Sequence, residues 1–555
     1  MKLFRLILQH SPVPFLMSLL LSLVSALLSV GVIAFINQRM LAVEAPSLST
    51  LMWFALLLVL LLVLAAGAQV AMTAIGHRFV YTMRRALVKR VLDTGIERLE
   101  ALGGANILAS LSADLRNITV AFVHLPVLLY GAVLALAAFV YLAWLSLPLF
   151  VMTLLWMAGT MAVGWLLVTR MSRQLTRLRE AEDRVYQDYV AAIDGRKELA
   201  LNRDRARRYY EDEFDVGADR YRRHVTLADR YHSVASNWAN IMMLGTIGLA
   251  FYLARGWQWA SLPVASTYAL TILFMRTPLV SAVAAMPAMM SARVSLNKVE
   301  TLALAPYQEG FPEPSTGDNG TWQTLSFENV SYRYPSRHGE GGFDVGPINL
   351  NIRRGEVIFL VGGNGSGKST LARLITGLYR PHEGAVSLDG KALDPDRDPH
   401  RLHRLFSSVF TDFHLFDQLI DARGDDADPA RVRHWLEQLQ MGRKARVGNS
   451  RLENRELSQG QRKRLALLLA LLEERDILVL DEWAADQDPL FRRLFYRELL
   501  PHFKAMGKTV FAVTHDDHYF DQADRLLKMD AGRLQELTGE QRRRASLDAV
   551  DEVMS

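Results

Sequence analysis

Apolar runs of about 20 residues recur through the first 300 positions, and no other feature constrains the fold of this chain as strongly. In helical form a run of that length crosses the hydrocarbon of a bilayer, where every backbone N–H and C=O must be paired within the segment itself. Candidate spans lie at 13–36, 51–75, 124–145, 148–169, 234–254 and 262–290. The third and fourth are separated only by "LSLP" around Pro148, which makes them a tight hairpin. The opening stretch has a basic start, but its apolar run is of spanning length. It reads as an uncleaved first membrane helix rather than a secretory signal.

Charge sorts the loops between these runs. Arg78, Arg84, Arg85, Lys89 and Arg90 follow the second span, and Arg170, Arg173, Arg177 and Arg179 follow the fourth. The opposite loops, 37–50, 145–148 and 255–261, are short and nearly uncharged. The positive-inside rule puts both termini and the two long loops in the cytoplasm. Those loops are polar and helix-periodic, so the second to fifth helices extend beyond the bilayer. Within them 103–117 and 191–205 read as short transverse segments between long helices, or as solvated helical hairpins.

Polar groups inside the spans mark sites or tethers. Arg276 falls midway through the sixth span, followed by Thr277 and Pro278. A charge there is costly and must face the bundle interior or a water-filled cavity. It contacts an anionic or carbonyl-rich cargo, or it ties down backbone carbonyls freed by Pro278. Asn237 and Asn240 in the fifth span line a polar path or bond between helices.

The remainder differs in composition. Residues 305–323 are rich in Pro, Gly and polar types, as linkers are. From 324 to 536 short apolar runs alternate with helical stretches, the pattern of an α/β domain, and 537–555 is a polar tail. The chain thus divides into a membrane region, 1–304, the linker and the α/β domain. A net charge of +5 from 63 basic and 58 acidic residues is too weak to suggest nucleic acid, and the lack of cysteine excludes disulfides and thiolate metal sites.

Within the α/β region "EVIFLVGGNGSGKSTLARLITGL" places a strand, 356–361, ahead of a glycine-rich loop and an amphipathic helix. In the loop Gly362, Gly363, Asn364, Gly365, Ser366 and Gly367 let backbone N–H groups wrap phosphates. Lys368 reaches the β- and γ-phosphates, Ser369 holds magnesium, Thr370 follows, and the helix N-terminus adds a favourable field. A second strand, Ile477 to Leu480, ends in Asp481 and Glu482. Asp481 suits the magnesium shell, and Glu482 suits polarising an attacking water. Between them "LSQGQ", Leu457, Ser458, Gln459, Gly460 and Gln461, opens a helix.

Taken together, these motifs resemble the ABC (ATP-binding cassette) transporters, with LSQGQ as the signature. By that resemblance Tyr334 in "NVSYRYP" stacks on adenine, Asp488 in "AADQDP" is the D-loop aspartate, and His515 in "FAVTHDD" is the switch histidine at the γ-phosphate. Six spans fused to one cassette resemble an exporter half-transporter of the type IV fold. There the signature completes the partner's site, which implies a homodimer with two composite ATP and Mg2+ sites. The transverse segments would then be the coupling helices. More specifically, "AFINQ", "LNRDRA", "NWANIMMLG", "RTPLVSAV", "VFTDFHLFDQL" and "HDDHYF" resemble the cyclic-peptide and siderophore exporter group of bacterial ABC proteins, nearest the inner-membrane exporters of lasso-peptide microcins. The resemblance implies ATP-driven export of a peptide or siderophore cargo across the bacterial inner membrane, amid membrane lipid and with an outer-membrane exit channel as a further partner. A lipid or hydrophobic drug is the alternative cargo. A nucleotide-gated protein that does not cycle has no need of Glu482 and His515.

One departure stands out. Where the exporter pattern has a glutamine after a strand, this chain has Thr411 and then Asp412, and Gln418 comes seven residues late in a solvated loop. The expectation is that Asp412, supported by Thr411, joins the magnesium shell in place of the glutamine.

Overall fold

The structure, a computed structural model, describes residues 12–41, 47–311, 322–334, 342–394, 399–453 and 456–543. The middle of the expected linker and most of the polar tail lie outside the described residues. Two compact units form: Met1–Val91 with Gly104–Tyr307, and Leu92–Gly103 with Gln308–Ser555.

The first unit is helical. Its elements are α1 (Pro12–Leu41), α2 (Leu48–Asp93), α4 (Gly104–Leu145), α5 (Leu147–Asp194), α6 (Arg196–Leu201), α7 (Arg203–Gly256) and α8 (Leu262–Thr301), while α3 (Ile96–Leu102) belongs to the second unit. Helices α1, α2, α4, α7 and the first half of α5 (Leu147–Met171) are long and apolar enough to cross a membrane. The sixth expected span lies within α8, one continuous helix of 40 residues that carries Arg276 and the internal prolines Pro278 and Pro287. Leu51, Met52, Trp53, Leu62 and Val63 of α2 are exposed, a surface that lipid tails tolerate and water does not.

Small residues and local bonds hold these helices together. Buried Ser18, Ser22, Ser25 and Ser29 line one stripe of α1. Ser22 and Ser29 donate to carbonyls four residues back, and Ser29 Oγ also lies 3.0 Å from the Tyr130 hydroxyl of α4. Such side chains let helices approach while satisfying their own hydroxyls. The hairpin around Pro148 forms as expected, with α4 ending at Leu145 and α5 beginning at Leu147. Tyr268 of α8 donates to the carbonyls of Leu142 and Ser146 across that turn.

The expected transverse segment at 103–117 is displaced. Residues from Gly104 onward already belong to α4, and the short helix is α3, Ile96–Leu102, ended by Gly103 at φ +77. Polarity pointed to the right loop, but the break sits at the glycine, because a left-handed residue cannot continue the helix. The second short segment, α6, falls inside the expected 191–205, with Asn202 capping the next helix through Arg205 N–H.

The second unit carries two sheets. An antiparallel one runs β2 (Asp344–Arg353), β1 (Thr324–Arg333), β4 (Glu383–Leu388), β5 (Lys391–Leu393). The other has the order β12 (Arg533–Leu537), β11 (Arg525–Asp530), β3 (Val357–Val361), β10 (Thr509–Val513), β9 (Ile477–Asp481), β6 (Phe406–Val409). Strands β11, β3, β10, β9 and β6 are parallel, and β9 and β10 are buried along their whole length, as strands covered on both faces must be. Covering helices include α9 (Lys368–Ile375), α10 (Pro429–Gln438), α11 (Gln459–Leu472) and α12 (Pro489–Leu494). Leu465, Leu467, Leu468, Leu471 and Leu472 of α11 share one core with Leu480, Trp483, Phe491 and Phe495.

Packing in the helical unit is tight at Gly76 of α2, where an added Cβ would sit 3.1 Å from Phe122 Cβ of α4. Gly76→Leu is expected to force the helices apart at a cost of about 1–3 kcal/mol. Thermal unfolding of the purified protein in detergent measures it, and an unchanged melting temperature rules out that close approach.

Candidate functional site

The parallel order β3, β10, β9, β6 sets the carboxyl ends of four strands side by side. In open α/β sheets, ligands bind at those ends. Here β3 runs into the glycine loop, β10 into His515, β9 into Asp481 and Glu482, and β6 into Thr411 and Asp412. Segments separated by more than a hundred residues thereby meet at one edge.

The glycine loop wraps its lysine. Lys368, buried at the first position of α9, donates from Nζ to the carbonyls of Gly362 at 2.9 Å and Gly363 at 3.1 Å. Gly362 and Gly367 have φ of +148 and +107, and a Cβ on Gly362 would meet the Met529 carbonyl at 2.2 Å. Only glycine fits such a path. Asn364 and Gly365 lie exposed at the loop tip, and Thr370 is buried. The site retains unsatisfied polar atoms: Ser366 Oγ and Asp481 Oδ1 are buried without a hydrogen-bond partner among the described residues. Burial pushes the Asp481 carboxyl up, opposed by a hydrogen bond with Ser369. A buried carboxylate beside a serine hydroxyl, with one oxygen unpaired, fits a hard cation that accepts oxygen ligands.

Glu482 and His515 meet across β9 and β10, with Nε2 3.3 Å from Oε1. Tyr334 follows β1; its hydroxyl lies 3.0 Å from Thr370 Oγ1 and its ring packs edge-on to Tyr332 and Tyr379. These aromatics line a cleft of about 1430 Å3 together with Glu97, Glu100 and His382.

Around LSQGQ the helix start is self-capped. Ser458 Oγ accepts from Gln461 N–H at 3.3 Å, and Gln461 Oε1 accepts from Ser458 N–H at 3.1 Å, a reciprocal capping box. Gly460 passes so close to the Asp486 carbonyl that a Cβ would lie 2.6 Å from it. Leu457 packs against the core, whereas Ser458 and Gln459 are exposed. Asp488 caps α12 through Phe491 N–H at 3.0 Å and accepts from Arg464 Nη2 at 2.6 Å. The Phe491 N–H and then Arg464 hold its carboxyl below the usual carboxylate range.

Some residues of this region carry no motif. Arg373 of α9 lies 3.9 Å from Asp412 Oδ2, donates to the Tyr379 hydroxyl at 2.9 Å and sits 3.6 Å from Glu100 Oε1. Tyr379 donates in turn to Glu100, and Glu97 accepts from Arg380 N–H at 2.8 Å. Burial and the Glu100 carboxylate push the Tyr379 hydroxyl well above the ordinary tyrosine value, so it remains a donor. A chain of contacts therefore runs from α3 to Asp412. An acidic pair three residues apart, Glu97 and Glu100, is a readable signal of a helix face, but its partners are not. Arg464 likewise belongs to none of the quoted motifs and is buried. Thr411 and Gln418 are exposed, and Gln418 forms a backbone bridge to Arg451.

In the helical unit Arg276 of α8 donates to Asn240 Oδ1 of α7, which brings two of the expected polar residues together. Asn237 instead donates to the Ser233 carbonyl of its own helix. Arg276 thus bonds a side chain on the neighbouring helix.

Similarity to known proteins agrees with this geometry. The ABC transporter family model matches residues 345–485. ATP-binding protein SyrD of Pseudomonas syringae pv. syringae is 34% identical over 530 residues, covering 93% of this chain and 92% of that one. An ATP-dependent lipid A-core flippase of Alkalilimnicola ehrlichii is 27% identical over 83% of this chain and 79% of its own. The solved structure of a bacterial Atm1-family ABC exporter with ATP bound superposes with a TM-score of 0.71 at 17% identity, covering 98% of this chain and 96% of that one.

If Asp412 serves the site, Asp412→Ala is expected to lower ATPase at limiting Mg2+ by about ten-fold, the equivalent of ~1.4 kcal/mol, with Gln418→Ala near the parent rate. Equal, undiminished rates in a Mg2+ titration of both variants refute the substitution of Asp412 for the glutamine.

Proposed function

We propose, from the premise that this chain belongs to the ABC exporter family, that it carries a peptide-like or siderophore-like cargo outward as a homodimer. It is a membrane ATPase that couples ATP hydrolysis to translocation. The finer reading is that two copies, each with its signature facing the partner's glycine loop, form two composite ATP sites. The exposed Ser458 and Gln459 support this, since a helix start that faces solvent can meet a phosphate held by another chain. The loop charges support cytoplasmic termini, and the likeness to bacterial exporters supports the inner membrane.

The residues present divide the chemistry between them. Lys368 and the loop N–H groups hold the β- and γ-phosphates, and Tyr334 stacks on the base. Magnesium, held by Ser369 and Asp481 with Asp412 nearby, would neutralise phosphate charge. Glu482 accepts a hydrogen bond from the attacking water and aims it in line, while His515, within reach of Glu482, donates to the γ-phosphate. Closure of the two cassettes over ATP favours one orientation of the membrane helices, and hydrolysis releases it. The contacts of α3 with Tyr379, Arg380 and, through Arg373, Asp412 supply a route by which helix position reaches the site.

For cargo, the carrying observation is Arg276, an exposed cation within a membrane helix, oriented by Asn240. Such a cation suits a carboxylate or a carbonyl-rich peptide better than an apolar chain. Lipid is the second reading, favoured by the likeness to a lipid A-core flippase. In nanodiscs, cyclic peptides or ferric siderophores are expected to raise ATPase several-fold. Arg276→Ala is expected to lose that stimulation with basal hydrolysis intact. Stimulation by lipids alone, with none by peptides or siderophores, overturns the cargo reading.

A further inference from the structure

Two cations of the signature helix are buried: Lys463 is 4% exposed and Arg464 6%. Arg464 serves Asp488. Lys463 serves the turn after β9. Its Nζ donates to the backbone carbonyl of Glu482 at 2.8 Å and lies 2.7 Å from Asp486 Oδ2. In the opposite direction, its own backbone carbonyl accepts from Trp483 Nε1 at 2.8 Å, and Trp483 is 1% exposed. One residue of α11 is therefore tied to two consecutive residues of the catalytic turn.

That turn requires holding. Glu482 has φ 49, a left-handed conformation that a residue with a Cβ adopts only where its surroundings enforce it. Its N–H donates to the Val513 carbonyl of β10 at 3.0 Å, which fixes the peptide plane preceding it. The Lys463 ammonium fixes the plane following it through a charge-assisted hydrogen bond, stronger than a neutral one. Asp486 balances the charge, so the buried ammonium is not left uncompensated. With both sides held, the Glu482 side chain leaves the backbone in the direction of His515.

We propose that Lys463 is a positioning residue for Glu482, holding the strained peptide so that the carboxylate stays aimed at the attacking water. This rests on the reading of Glu482 as the group that polarises that water. Because α11 opens with the signature at Ser458, a movement of the signature is also delivered to Glu482 through this ammonium.

The test compares Lys463→Met, Lys463→Ala, Lys463→Gln and Glu482→Gln in the purified full-length protein. The readouts are steady-state ATPase, equilibrium ATP binding and melting temperature. Lys463→Met is expected to lower kcat by about ten-fold or more, a barrier change of ~1.4 kcal/mol, with ATP affinity and melting temperature close to the parent. Lys463→Gln, which keeps a shorter donor, is expected to recover part of that loss. Parent-like kcat in Lys463→Met overturns the proposal, as does a Gln variant no faster than Met. Should Lys463→Met fail to fold, Lys463→Ala decides on the same two readouts: lowered kcat with ATP bound as before supports the proposal, and undiminished kcat overturns it. Glu482→Gln separates the layers. If it still hydrolyses ATP at the parent rate, the role of Glu482 itself falls; if it is inactive while the Lys463 variants are not, only the positioning role falls.

Discussion

Parallel hydrogen bonding of β9 between β10 and β6 is the contact on which the site depends. Its register, Val513 against Asp481 and Val409 against Leu480, brings the strand ends level. A slip of one residue would turn Asp481 from the loop side to the opposite face, since side chains alternate along a strand. Strands β9 and β10 are buried along their whole length, and that burial keeps the register from slipping. It also excludes water from around Asp481, the source of its raised pKa.

Side chains far from the phosphates stabilise this arrangement by satisfying buried polar groups. Arg464 lies over the Phe491 ring at 3.5 Å while binding Gln487 and Asp488, so its stem and its charge are both used. Burial lowers its pKa, and the Asp488 carboxylate works against that shift. Tyr496 donates to Asp516, next to His515, and Arg492 pairs with the same carboxylate. The turn after β9, Asp488 and the segment after β10 are thus held by one connected polar network inside an apolar core.

Much of this was legible. The glycine loop, the strand ending in Asp481 and Glu482, and the LSQGQ helix start depend on local chemistry: backbone freedom, strand apolarity and capping. Each is written in adjacent residues. The membrane helices were legible for the same reason, since lipid demands a long uninterrupted apolar run. What the pattern leaves open is that the sixth stays one continuous helix through Arg276, Pro278 and Pro287. The displaced short helix shows the limit from another side. Polarity located the loop, but only the left-handed Gly103 fixed where α3 ends.

Order and spacing along the chain therefore dictate the kind of machine this is: apolar spans, then a phosphate-binding cassette. What they leave open is which charges are solvent-facing and which are buried. Lys463, Arg464 and Arg373 look alike in the chain, each a cation on a helix, yet each ends at a different partner on another segment. Burial of a charge depends on a counter-charge supplied by residues distant in sequence, and only the packing of α11 and α9 against the strand ends brings those together.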